Sequence, residues 1–230
     1  MVLGSNPGGP IFCNLRLNFI MDHLVPYTES IDGMRSVGHQ FWTRGWSRGT
    51  SSNYSVVVER DPLRILITAS GKDKGNLGPN DFVLVDENGH SVVDGQPKSS
   101  AETLLHCLAA RQGAGAILHT HSVWGTLLSQ HFAPVGGIRI AGFEMLKGLE
   151  GITTHESSCW IPIFENTQDI PALAKQVDEY FHAHPEERCW AYLIRRHGMY
   201  TWGKDLAEAT RHMEVIEFLL ECLGRSTRLA

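Results

Sequence analysis

Three short runs rich in β-branched and apolar residues, "YSVVVER" (54–60), "RILITAS" (64–70) and "DFVLVD" (81–86), follow one another with only turn-like residues between them. Such runs read as strands, and strands joined by turns pair antiparallel. The Glu87-Asn88-Gly89 turn predicts a further hairpin into "HSVVD" (90–94). Around this nucleus the apolar spacing becomes helical. Ile31, Met34, Phe41 and Trp42 mark a helix over 27–46, and further helices are expected over 101–112, 122–131 and 169–184. The last helix is capped by Asp205, with Glu208 at its third position and a stripe of Ala209, Met213, Ile216, Leu220 and Leu223. "GAGAILHTH" (113–121), "CWIPIF" (159–164) and "CWAYLIRRHG" (189–198) read as strands between the helices. Hairpins mixed with helices predict a single-domain α/β fold with a central mixed, mostly antiparallel sheet flanked by helices. A strict alternation of the doubly wound kind fits less well. Residues 1–25 are Gly/Pro-rich at the start and read as a loose N-terminal extension, leaving 26–230 as the folded domain.

Charge and composition exclude several partners. The net charge is −5 over 230 residues, so no basic field exists to hold nucleic acid or an anionic membrane. No apolar stretch approaches the ~20 residues that span a bilayer, and the start lacks the pattern of a signal peptide. Cys13, Cys107, Cys159, Cys189 and Cys222 are scattered without a CxxC pair. That usage suits reduced thiols, so a cytoplasmic location is expected.

The chemistry centres on "LHTHSVWG" (118–125). Alternation along a strand turns His119 and His121 to the same face, about 7 Å apart along the backbone, where two imidazoles can reach one ion. His182 and His184 have the same spacing at the end of a helical pattern. There, two residues mean about 200° of rotation, so they diverge. An open catalytic site takes three protein ligands. His197, at a strand end before Gly198, is the leading third candidate, followed by His155 and His106.

Two loops, "GTSSN" (49–53) and "TASGKDKG" (68–75), have the composition of anion sites, since backbone amides in such turns cradle phosphate and lysine adds charge. "KSSAE" (98–102) repeats the theme before a helix, where Ser99 or Ser100 also suits an N-cap. Taken singly, each loop also fits an ordinary turn. Glu144 and Glu102 are the carboxylates best placed to move a proton near a metal.

The ordered set "GTSSN", "TASG", "SSAE", "HTH" and "RRHG" resembles the class II aldolase/adducin family over Tyr27 to Gly224. Five motifs in order are far more specific than any one. "RGWSRGTSSNYSV", "SGKDKG", "SAETLLH", "GITTHE", "PIFENTQDI" and "YLIRRHGMYTWG" are closer to the family's dehydratases than to its sugar-phosphate aldolases. The resemblance implies one zinc ion per subunit held by His119, His121 and His197. It implies a phosphorylated substrate gripped by Ser52, Asn53, Ser70, Gly71, Lys74, Ser99 and Ser100. It also implies a homotetramer with sites at subunit interfaces. Glu144 matches the acid/base of the dehydratases and Glu102 the base of the aldolases, and which of them moves the proton stays open. The implied reaction is dehydration of a phosphorylated ketose through an enediolate. Aldol cleavage or epimerisation of another sugar phosphate (fuculose or ribulose phosphate) is the rival. A non-catalytic scaffold is a third reading, which the three histidines oppose. Ala69 departs from the family, where many members have proline, and the N-terminal extension has no counterpart.

Overall fold

The computed structural model describes residues 22–227. Along the described chain lie β1 (Asn53–Arg60), β2 (Leu63–Thr68), β3 (Phe82–Val85), β4 (Ala116–Thr120), β5 (Gly137–Ala141), β6 (Ser158–Phe164), β7 (Ala191–Ile194) and β8 (Gly198–Gly203). The helices are α1 (Thr28–Thr43), α2 (Thr103–Arg111), α3 (Val123–Phe132), α4 (Ile170–Ala183) and α5 (Leu206–Ser226). The strands form one sheet in the order β3-β2-β1-β4-β8-β7-β6-β5. Every neighbouring pair is antiparallel except β6 with β7. This is the single α/β domain with a mixed, mostly antiparallel sheet that the hairpin runs predict.

Strand alternation sorts the core into two layers. Leu66, Leu118 and Met199 point to one face, where Met34 and Phe41 of α1, Leu128 of α3 and Met213 and Leu220 of α5 cover them. Ile65, Ile67, Ile117 and Tyr200 point to the other, under Leu105 and Leu108 of α2 and Leu173 and Val177 of α4. Pairing in the sheet centre sets Asn53 opposite His119 across β1 and β4, and Tyr200 opposite His119 across β4 and β8. Three polar or aromatic side chains from three strands therefore gather on the α2 face at one level of the sheet.

Two expectations are corrected. The hairpin into 90–94 is reduced to one bridge, Val85 to Ser91. The Gln96 amide takes the place of a strand there. It accepts from the Leu84 amide (2.7 Å) and donates to the Leu84 carbonyl (3.3 Å). The single strand expected over 189–198 is broken, since β7 ends at Ile194 and β8 restarts at Gly198, paired with it. Arg196 takes a left-handed φ of 56° in the turn between them. β5 carries no strong sequence signal and pairs at the sheet edge with β6. Residues 1–21 of the expected extension lie outside the described residues. Leu24, which the sequence places in that extension, is buried in the core on the α1 face.

Candidate active site

His119 lies in β4 and His121 just past its end, and the alternation that predicts a shared face holds. Their Nε2 atoms are 2.7 Å apart. His197 arrives from the β7–β8 turn, with its ring centroid 5.1 Å from that of His119 and 4.6 Å from that of His121. That turn is pinned to α3 by two hydrogen bonds. Thr126 of α3 donates to the His197 carbonyl (3.2 Å), and the Arg196 amide donates to Ser129 Oγ (3.0 Å). Gly198 admits the close approach, because a Cβ there would run into the Thr120 carbonyl and the His119 ring.

The donor set fits a divalent metal. One ligand atom from each of the three histidines lies within 4.8 Å of the others. The Met199 carbonyl can only accept, so His119 donates to it through Nδ1–H (3.0 Å). That tautomer leaves a bare lone pair on Nε2, which faces its partners. Burial first, then His121 and His197, pushes His119 well below the ordinary imidazole pKa. Burial, His197 and Lys74 push His121 down to about 4. Neutral imidazoles are the ligating form. His197 turns its Nε2 toward the Glu102 carboxylate at the cluster (3.2 Å).

Glu102 stands beside this cluster at the N-cap of α2. Its Oε1 is 3.2 Å from His197 Nε2 and its Oε2 3.6 Å from His119 Nε2. Asn53 Nδ2 donates to Glu102 Oε2 (2.9 Å) and to Ser100 Oγ (3.2 Å). A carboxylate held by an amide and adjoining three imidazoles can take a proton from a carbon acid whose oxygens a metal polarises.

The small-residue loops meet here too. Ala69 bridges to Ser99, and the Ser70 amide donates to the Lys98 carbonyl (2.9 Å), which sets Ser70-Gly71 against Ser99-Ser100. Gly71 and Ser52 both have positive φ, 71° and 72°. Ser52 Oγ is buried without a partner directly before Asn53. Lys74 is not a solvent cation. It is 1% exposed, its Nζ donates to the Lys72 carbonyl (2.6 Å), and burial pulls its pKa down to about 8.

Glu144 is not brought to the cluster within one chain. It opens the short 3-10 helix Glu144–Gly148, with its side chain 71% exposed, and pairs with Lys147 (2.6 Å) and His155 (3.8 Å). The Lys147 hydrogen bond holds its carboxyl below the usual range. His155 accordingly lies with Glu144 and not with the other histidines. His106 is fully buried and bonded to Ser55 (2.7 Å) and Asn53, so it is no ligand in this arrangement. His182 and His184 each turn Nδ1 back to a carbonyl of α4. Tyr200 is the residue that sequence reasoning misses. Its ring stacks on His119 with centroids 4.0 Å apart, and it packs on Tyr192 behind. The alternation in "GMYTWG" was the available signal, obscured because Gly198 reads as the end of a turn.

Such a fold, with three convergent histidines at the end of a central strand and a carboxylate beside them, defines a class of proteins built to hold a divalent metal next to a proton-transfer group. The family model described as class II aldolase and adducin N-terminal domain matches residues 32–223, and the chain belongs to that family. Among its relatives, a methylthioribulose-1-phosphate dehydratase of Marinobacter nauticus is 43% identical over 204 residues, covering 88% of this chain and 96% of the relative. A protein of the same name from Hahella chejuensis is 49% identical over 180 residues, covering 77% and 84%. Among solved structures, L-fuculose-1-phosphate aldolase of Thermus thermophilus has a TM-score of 0.65 at 25% identity, over 84% of this chain and 92% of that one.

Proposed function

We propose that this chain dehydrates 5-methylthioribulose 1-phosphate to 2,3-diketo-5-methylthiopentyl 1-phosphate, a step of methionine salvage. One observation carries the reading. The Glu102 carboxylate adjoins three converging imidazoles, at 3.2 Å from His197, in a chain whose relatives of 43 to 49% identity bear that activity in their names. His119, His121 and His197 would hold one zinc ion, which supplies Lewis-acid polarisation of the substrate's C2 ketone and so acidifies the C3–H bond.

The side chains divide the rest. Glu102 accepts the C3 proton, and the pair of electrons left on C3 moves into the enediolate. The C4 hydroxyl then leaves as water, taking a proton, and the resulting enol tautomerises to the diketone. Asn53 fixes the direction of the Glu102 carboxylate through its 2.9 Å hydrogen bond. Ser52, Ser70, Gly71, Ser99 and Ser100 offer hydroxyls and backbone amides to the phosphate, and positive φ at Ser52 and Gly71 gives such loops the concavity of an anion nest. Lys74 adds positive charge from beneath. Gripping the phosphate supplies binding energy remote from the reacting carbons. Glu144, released from Lys147, protonated and delivered by a neighbouring subunit of a homotetramer, is the acid for the departing hydroxyl, and its exposure permits that delivery. The four cysteines among the described residues are all free, which supports a cytoplasmic home.

Chelator-treated protein, incubated with the substrate and then resupplied with zinc, tests the reading. Turnover should vanish on chelation and return with zinc. Unchanged substrate in the presence of fully metallated protein would contradict it.

A further inference from the structure

Behind Glu102 a buried file of polar groups runs on from Asn53, which holds the carboxylate, to His106 and Ser55, which have no direct part in the site. Ser55 and Asn53 are two residues apart on β1, so their side chains share a face, and His106 of α2 lies across from both. Ser55 Oγ is 2.7 Å from His106 Nδ1. His106 Nε2 makes a short hydrogen bond to Asn53 Oδ1, and Asn53 Nδ2 donates to Glu102 Oε2. Ser55 and His106 are 0% exposed and Asn53 is 4% exposed, so water does not compete for these groups.

The chemistry of each member leaves a single direction of donation. An ionised carboxylate only accepts, so the Asn53 amide must present its NH2 to Glu102. Its carbonyl oxygen then faces His106 and needs a donor, which fixes the proton of His106 on Nε2. Nδ1 is left bare, and the Ser55 hydroxyl donates to it. Were His106 replaced by an apolar residue, Asn53 Oδ1 would be buried without a donor. Rotating the amide to escape would aim that oxygen at the carboxylate.

We propose that His106 is a positioning residue for the dehydration. Through a fixed tautomer it locks the Asn53 amide with its NH2 toward Glu102, and so keeps the carboxylate aimed at the carbon acid. The inference rests on the reading of Glu102 as the proton-transfer group. It also gives the histidine that the sequence offers as a spare metal ligand a different task.

The test uses the full-length metallated protein and three substitutions. His106→Leu removes both hydrogen bonds, His106→Gln keeps an amide donor near the Nε2 position, and Ser55→Ala removes only the outermost donor. Steady-state kinetics, metal content and melting temperature are measured for each. Outer partners of a metal site typically matter by about 10–100-fold. His106→Leu should therefore lose activity on that scale in kcat, with KM within about 3-fold of wild type and metal content unchanged. His106→Gln should recover most of the loss, and Ser55→Ala should show a smaller deficit. Equal deficits in Leu and Gln variants matched for melting temperature would overturn the proposal, as would a loss that merely tracks lost metal. If the unsubstituted protein turns over no substrate, the assigned reaction fails and the positioning role is judged by crystal structures of the Leu and Gln variants. A rotated Asn53 amide or displaced Glu102 in Leu only supports it, and an undisturbed pair in both overturns it.

Discussion

At the scale of single residues, side chains here owe their properties to burial more than to identity. The same imidazole group serves as a lone-pair donor at His119, as a neutral hydrogen-bond link at His106 and as a surface group at His155. Glu217 of α5 shows the effect on a carboxyl. It is buried under β4, accepts from Thr120 Oγ1 (3.0 Å), and has its other oxygen without a partner. Burial pushes its pKa up to about 7. A carboxyl whose folded pKa is raised contributes stability that is fully present below its unfolded pKa of about 4.5 and is lost as pH rises through about 7. Glu217→Gln removes that titration. Comparing the two proteins by denaturant unfolding at pH 5 and pH 8, the variant should gain on wild type as pH rises, by up to about 3 kcal/mol. A difference that stays flat with pH would show that Glu217 does not titrate in this range.

At the scale of elements, the site depends on how closely β8 lies against β4. Gly198 is the first residue of β8, and a Cβ at that position would meet the Thr120 carbonyl. Gly198→Ala should lower stability by roughly 1–3 kcal/mol through overpacking. It should also weaken metal retention, because it displaces the turn that carries His197. Thermal melts and metal analysis of the dialysed variant check both effects. An alanine variant with wild-type metal content would mean that the turn adapts independently of the strand. The same geometry explains what could be read in advance. His119 and His121 were legible because alternation along one strand is local, and the carboxy-terminal helix was legible because its cap and stripe are local as well. The apposition of Asn53, Glu102 and His119 was not, since it follows from the β1–β4 register and from where α2 begins. The hairpin at 90–94 failed for a similar reason, because one glutamine side chain satisfies the strand edge from outside the run. Ordered motifs restored part of what spacing alone could not supply.

At the scale of the whole molecule, one chain holds the histidines, Glu102 and the small-residue loops together, and leaves Glu144 at the surface. No local signal could reveal that separation, because where each glutamate ends up follows from tertiary packing and not from its neighbours in the chain. If sites form between subunits, two inactive variants should complement one another. Co-expressed Glu102→Gln and Glu144→Gln chains should regain activity in mixed oligomers, up to about a quarter of the sites carrying both native carboxylates by random assortment. Each variant alone should stay inactive. Mixed oligomers as inactive as their parents would remove Glu144 from the reaction. The family also contains enzymes that cleave a carbon–carbon bond, as the name of the Thermus thermophilus aldolase indicates, so product identity is the decisive observation. Carbon-13 NMR of labelled 5-methylthioribulose 1-phosphate, incubated with zinc-loaded protein, follows every carbon at once. Dehydration should give two adjacent ketone carbons at C2 and C3, a methylene at C4 and an intact five-carbon chain. A three-carbon phosphate ester, an aldehyde or unaltered substrate would contradict it.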